Sequence, residues 1–167
     1  VGTGGLGTLE PAPAWPTAAR SFGDRIVLTK PLGRCLIATA VKRDAVTATL
    51  IATAIDLMTT LNAGARDAGR SLGEAIHAVT DITGFGLLGH LGEMARASEV
   101  SATIDLGAVP VIDGVRGLVR AGILAGGSQR NHAFVSAFVD CGRSETADQF
   151  LLAEAQTSAA QPLPIAP

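Results

Sequence analysis

The stretch 77–90, read H-A-V-T-D-I-T-G-F-G-L-L-G-H, carries the residue types best suited to metal and phosphate chemistry. Asp81 lies near the end of an alternating apolar and polar run, which predicts a strand. Thr83 and Gly84 then indicate a turn, and a helical pattern begins at Phe85. Free backbone N–H groups at a helix start attract anions, so these three residues are candidate secondary contacts for phosphate. Spacing alone favours Asp81 as a turn residue or a helix N-cap.

Other polar residues near this stretch leave alternatives open. His77 and His90 are separated by the strand, the turn and one helical turn, whereas a zinc pair usually lies at i, i+4 on one helix, so structural hydrogen bonding is favoured for both. Lys30 ends a predicted strand, where it could neutralise a phosphate or remain an ordinary solvated lysine. Arg130 and Asn131 belong to a glycine-rich stretch and could bind phosphate or stabilise a loop. No Ser-His-Asp constellation is visible.

Composition restricts the function classes. The 167 residues suffice for one domain with a sizeable core, since 47% are hydrophobic and 17% charged. A formal charge of −2 gives no basic surplus for nucleic acid, and no apolar run reaches the length of a membrane span. Cys35 and Cys141 form no C-x-x-C pattern, which favours two free buried thiols in a reducing cytosol.

The first residues resemble a nucleotide-binding pattern only superficially. Gly2, Gly4 and Gly7 satisfy G-x-G-x-x-G, but no strand precedes them and a proline-rich stretch follows. We therefore interpret residues 1–21 as an irregular leader, residues 22–158 as the domain and residues 159–167 as an irregular tail. Pro162 cannot donate a ladder hydrogen bond, so we expect that no closing strand forms in this tail. Both ends are interpreted as the product of truncation or of an altered reading frame.

Between these ends, short strands alternate with helices in the order β-α-α-β-α-β-α-β-α, which predicts an α+β fold with helices covering a mixed sheet of about four strands. Asp44 is the predicted N-cap of the longest helix, Asp113 is predicted to cap a short one, and 125–131 is a predicted loop. Glycines at steps of three from Gly86 suggest tight packing or a dimer face. Strands are predicted at 26–29, 75–82, 101–106 and 133–140, and helices at 35–42, from 44 to about 61, at 65–75, from 85 to about 98, at 115–120 and at 146–153.

Several motifs in this order resemble the C-terminal half of selenophosphate synthetase (selenide, water dikinase). They are G-D-R-I-V-L-T-K-P-L-G at 23–33, M-T-T-L-N at 58–62, T-D-I-T-G-F-G-L-L-G-H at 80–90, V-P at 109–110, G-G-S-Q-R-N at 126–131 and Q-T-S at 156–158. The resemblance covers roughly 22–158 and extends to the fold of aminoimidazole ribonucleotide synthetase. It departs after Q-T-S, where Gly-Gly and an apolar strand are expected.

The resemblance implies a function that the residues alone do not. That family makes selenophosphate from selenide and ATP with Mg²⁺, releasing AMP and phosphate, as a cytoplasmic homodimer without nucleic-acid or membrane partners. Asp81 matches its magnesium-binding aspartate, whereas neither cysteine matches its nucleophile, so no catalytic or cofactor-binding residue is assigned. We expect this chain to be inactive alone. The alternatives are a non-catalytic folding or dimerisation module and another ATP-using enzyme of the same superfamily.

Overall fold

The computed structural model describes residues 15–16 and 23–156, together with the backbone of 162–165, so most of the predicted leader lies outside the described residues. The order of elements is one strand, seven α-helices and a second strand. They are β1 (Arg25–Leu28), α1 (Arg34–Val41), α2 (Ala48–Thr59), α3 (Ala63–Leu72) followed by a 3₁₀ turn (Gly73–Ala75), α4 (Gly86–Ala97), α5 (Val115–Arg120), α6 (Gly126–Val135), α7 (Thr146–Leu152) and β2 (Pro162–Ile165).

The two strands pair antiparallel, so the expectation that no closing strand forms is wrong. The register sets Ile26 opposite Pro164 and Leu28 opposite Pro162. Both prolines occupy alternate positions of β2, and their missing N–H groups therefore face the same edge of the strand. The residues between them can still supply pairing N–H groups, which is why an edge strand tolerates this sequence.

A sheet of about four strands is not confirmed in the described residues. The predicted strand at 75–82 begins in a 3₁₀ turn and continues as irregular chain, and 101–106 forms no named strand. An isolated parallel bridge joins Leu32 to Val111. The predicted loop at 125–131 and strand at 133–140 are wrong, because α6 (Gly126–Val135) covers most of the loop and the start of the strand, and a turn follows at 136–138. Short apolar runs do not distinguish a strand from a buried helix segment, and two adjacent glycines do not prevent a helix from starting.

The other helices are confirmed with small shifts, but two caps are wrong. Asp44 has a φ of 50° in the turn before α2, and Thr47 is the N-cap. The Thr47 hydroxyl accepts a hydrogen bond from the Leu50 N–H at 3.3 Å, which satisfies one of the free N–H groups at the helix start. The N-cap of α5 is Gly114 at a φ of 85°, and not Asp113. A left-handed conformation is easier for glycine than for aspartate.

The hydrophobic core lies where α1 packs on α2 and α5, and where α4 packs on α6 and α7. Its fully buried members come from segments far apart in the chain: Leu32, Leu36, Ile37, Ile82, Val115, Val135 and Leu151. Helix α2 departs from the predicted single apolar face, because Ile55 is 51% exposed and only Ala54 is buried. The apolar residues of α2 therefore extend beyond the face that packs on α1.

The glycine stripe of α4 makes close contacts inside the chain. A Cβ at Gly86 would lie 2.7 Å from the carbonyl carbon of Ala153, and one at Gly92 would lie 2.5 Å from the ring of Phe138. Of the two interpretations of the stripe, these contacts support tight internal packing. Gly86 also has a φ of 70°, so two independent constraints favour glycine at the first residue of α4.

Candidate functional site

Asp81 lies on an irregular segment that leads into α4. The Ile82 side chain is fully buried whereas Asp81 is exposed, because successive side chains of an extended chain point in opposite directions. In the part of the chain that the structure describes, the Asp81 carboxylate has no hydrogen bond or ion pair. The N-cap of α4 is Phe85, with no side-chain cap. Asp81 is therefore not the cap of this helix, and its oxygens are available to a cation.

The turn that follows Asp81 is fixed by hydrogen bonds from both sides. The Thr83 carbonyl accepts from the N–H of Gly86 at 3.2 Å and from the N–H of Gln156 at 2.8 Å. The Gly84 carbonyl accepts from the side-chain amide of Asn131 at 2.7 Å, and the same amide nitrogen donates to Ala153 at 3.0 Å. Of the two interpretations of Asn131, the geometry supports the stabilising one.

A buried acid that the sequence analysis missed lies next to this turn. The Glu154 side chain is fully buried and accepts a hydrogen bond from the backbone N–H of Leu36, in the first turn of α1. The Gln156 amide donates to its other oxygen at 2.7 Å. A carboxylate is favourable at a helix N-terminus. Burial nevertheless outweighs these donors and raises the pKa of Glu154 to about 7. The one signal in the sequence is an acid inside the apolar run L-L-A-E-A.

Two buried cations, Lys30 and Arg34, lie just before and at the start of α1. The Arg34 guanidinium is fully buried, donates to the Pro31 carbonyl at 3.3 Å and lies in the field of Glu154. Lys30 is only 6% exposed, and its ammonium donates to the Thr60 carbonyl at 2.6 Å at the end of α2. Burial, followed by the charge of Arg34, lowers the pKa of Lys30. The interpretation of Lys30 as an ordinary solvated lysine is therefore wrong. It is well placed to stabilise the carbonyl end of α2.

Each of the two histidines has a different hydrogen-bond partner. His77 Nδ1 lies 2.8 Å from an Asp24 oxygen, and His90 Nε2 lies 3.3 Å from the Thr83 hydroxyl. Both have the structural hydrogen bonds predicted from the sequence. Cys35 and Cys141 form no disulfide, and both are half-buried. The predicted chemistry at this site therefore rests on Asp81 rather than on histidine or cysteine.

Asp81 can supply one ligand to a magnesium ion, but not a complete site. Mg²⁺ requires about six oxygen ligands, usually one or two carboxylates with phosphates and waters. Among the described residues, no cluster of three histidines, cysteines or acids could hold a metal ion. An exposed carboxylate with no internal partner fits one position of such a shell, and the others would come from phosphate, water and groups outside these residues. No helix among the described residues is long and apolar enough to cross a membrane.

The family model described as AIR synthase related protein, C-terminal domain, matches residues 22–137. The chain belongs to this family. The matched residues include both the Asp81 turn and the start of α1, whereas Glu154 and Gln156 lie beyond the match. Membership in the AIR synthase related family confirms the superfamily that the motifs predicted, while the four-stranded sheet stays unconfirmed.

Among curated proteins, this member of the AIR synthase related family is similar to several that are named selenide, water dikinase. It is 40% identical to the Myxococcus xanthus protein over 154 residues, which is 91% of this chain and 44% of that relative. It is 43% identical to the Geobacter metallireducens protein over 136 residues, 81% of this chain and 39% of the relative. The chain thus spans less than half the length of the relatives that it matches.

Proposed function

We propose that this chain is the C-terminal part of a selenide, water dikinase, and that Asp81 contributes one magnesium ligand to an ATP site completed by the remainder of the enzyme. The observation that carries the proposal is the exposed Asp81 carboxylate, which has no partner among the described residues and directly precedes the buried Ile82 and a hydrogen-bonded turn. Names of relatives that cover most of this chain support the reaction. The family assignment further suggests ATP and selenide as substrates, a homodimer and a cytoplasmic location.

The residues of this chain have a limited part in the proposed chemistry. When bound, Mg²⁺ neutralises and orients the phosphate oxygens during transfer. The chain supplies Asp81 as a ligand and holds the Asp81 backbone rigid through the turn. The N-terminus of α4 adds a partial positive charge beside the site. These roles are positioning and electrostatic.

A second candidate function is that of a non-catalytic module, which is favoured because Asp81 offers a single carboxylate. In this alternative, the isolated chain is a folded module that catalyses nothing by itself, and its described residues hold no cluster of three potential metal ligands. The two proposals differ only in whether the chain becomes active when the remainder of the enzyme is supplied.

Selenide-dependent AMP formation from ATP separates these proposals. The purified chain is compared with a fusion in which residues 22–158 replace the matching part of the Myxococcus xanthus relative. We expect no activity from the chain alone and activity from the fusion. Activity from the chain alone would contradict an incomplete site. An inactive fusion that folds and binds ATP would favour the non-catalytic module.

A further inference from the structure

The segment 153–156, of sequence A-E-A-Q, connects the turn after Asp81 to the rest of the fold. Its backbone reaches this turn at Gln156, whose N–H donates to the Thr83 carbonyl at 2.8 Å. The Gly86 N–H donates to the same carbonyl. Close approach is possible because residue 86 has no Cβ, which would otherwise lie 2.7 Å from the Ala153 carbonyl. Two amide protons therefore report on one carbonyl of the turn.

The side chain of Asn131, on helix α6, contacts both the turn and segment 153–156. Its side-chain nitrogen lies 2.7 Å from the Gly84 oxygen and 3.0 Å from the Ala153 oxygen. A primary amide has two protons and can satisfy two carbonyls at once, whereas an ionised carboxylate of the same shape can only accept. Asn131 therefore joins three separate parts of the chain: α6, the turn and segment 153–156.

The contacts that fix the turn also affect the Asp81 carboxylate. Ile82 is fixed in the core by its fully buried side chain, and Gly84 is fixed by Asn131. Asp81 immediately precedes these two fixed residues, on a segment outside the named strands. The direction of its carboxylate consequently depends on how firmly residues 82–84 are held.

We propose that Asn131 is a positioning residue, which orients the Asp81 carboxylate for a divalent cation by fixing the Thr83–Gly84 turn. This inference rests on the proposed role of Asp81 as a metal ligand and adds a residue 50 positions away in sequence. Asn131 itself does not touch the metal. The isosteric substitution Asn131→Asp removes both donated hydrogen bonds and places an acceptor against two carbonyl oxygens.

The test uses the 167-residue chain, labelled for NMR. Hydrogen exchange is measured at the Gly86 and Gln156 amides, and line broadening by Mn²⁺, a paramagnetic substitute for Mg²⁺, is measured at the amides of 82–84. Asn131→Asp is compared with Asn131→Ser, which keeps one donor. Ala54→Gly serves as a control for stability, because it weakens α2 through lower helix propensity and the loss of one buried methyl group, outside the turn.

In Asn131→Asp we expect both reporter amides to exchange about tenfold faster than in Ala54→Gly, with the exchange rates of Asn131→Ser between those of Asn131→Asp and the wild type. Mn²⁺ broadening is compared in Asn131→Ser, which adds no carboxylate, and should require a several-fold higher concentration than in the wild type; this variant also decides the question if Asn131→Asp does not fold. Exchange and broadening equal to those of Ala54→Gly would overturn the proposal. If Asp81→Asn leaves Mn²⁺ broadening unchanged, the metal assignment fails, and the exchange rates still decide whether Asn131 holds the turn.

Discussion

Glu154 accepts a hydrogen bond from the backbone N–H of Leu36, a residue 118 positions earlier, with both residues fully buried. A residue just after α7 therefore caps the start of α1, since the N-cap Gly33 has no side chain of its own. The same short segment contacts the turn after Asp81 through Gln156. Segment 153–156 thus links the start of α1, which follows the T-K-P-L-G motif at 29–33, to the T-D-I-T-G motif at 80–84.

The buried Glu154 predicts an unusual dependence of stability on pH. Its pKa is raised from 4.5 to about 7 in the folded chain, so the folded state keeps a proton that the unfolded state releases. The free energy of unfolding should therefore fall as the pH rises between these values, by up to roughly 3 kcal/mol, and level off above pH 7. Arg34 is the charged group facing Glu154.

Urea denaturation of the wild type and of Glu154→Gln at a series of pH values from 4.5 to 8 measures this contribution. Glutamine cannot ionise, so the variant should gain stability relative to the wild type as the pH rises to 7. Glu74→Gln, at an exposed glutamate, should show no such relative gain. A constant difference between the wild type and Glu154→Gln across this range would show that Glu154 ionises normally in the fold.

Gly86→Ala should strongly destabilise the chain. Alanine at a φ of 70° is strained, and its Cβ would lie 2.7 Å from the Ala153 carbonyl carbon and oxygen, which belong to backbone and cannot rotate away. We expect a loss of about 2 kcal/mol or more in chemical denaturation. The matched control is Gly64→Ala in α3, where nothing lies within 4 Å. It should stabilise the chain by about 0.5–1 kcal/mol, and a similar effect of both changes would refute the close packing at Gly86.

Lys30→Met should weaken the attachment of α2 to the T-K-P-L-G motif. Methionine preserves most of the buried stem but cannot donate to the Thr60 carbonyl, which Lys30 contacts at 2.6 Å. A loss of about 1 kcal/mol in thermal or urea unfolding is expected, because the exposed Thr60 carbonyl can regain water. Lys42→Met, at an exposed lysine, should be nearly neutral. Equal stability of both variants would indicate that the Lys30 hydrogen bond contributes nothing.

Helix positions could be predicted where local sequence determines them. Periodic apolar residues located α1, α5 and α7 to within about two residues, because each buries one face. The sheet could not be predicted in the same way. Strand pairing depends on partners distant in sequence, and the pairing of Ile26 with Pro164 is invisible to local propensity. Helix α6 was missed because its Gly-Gly start resembles a loop.

In the candidate site, too, local sequence predicts some residues, whereas others depend on contacts between distant segments. Asp81 was recognised because its motif is contiguous, T-D-I-T-G-F-G. The roles of Asn131 and Glu154 arise only when α6 and segment 153–156 meet the turn and the start of α1. A buried acid also contradicts the usual preference for exposed carboxylates, so composition gives little warning of it.

The magnesium dependence of selenide-dependent AMP formation tests whether Asp81 is a metal ligand. The measurement uses the fusion of residues 22–158 with the matching portion of the Myxococcus xanthus relative, and compares Asp81→Asn with Asp113→Asn, another exposed aspartate. If Asp81 is a ligand, Asp81→Asn raises the Mg²⁺ concentration for half-maximal activity at least about tenfold or abolishes activity, while Asp113→Asn leaves it unchanged. An unaltered magnesium dependence in a folded, active Asp81→Asn fusion would show that Asp81 does not bind the metal.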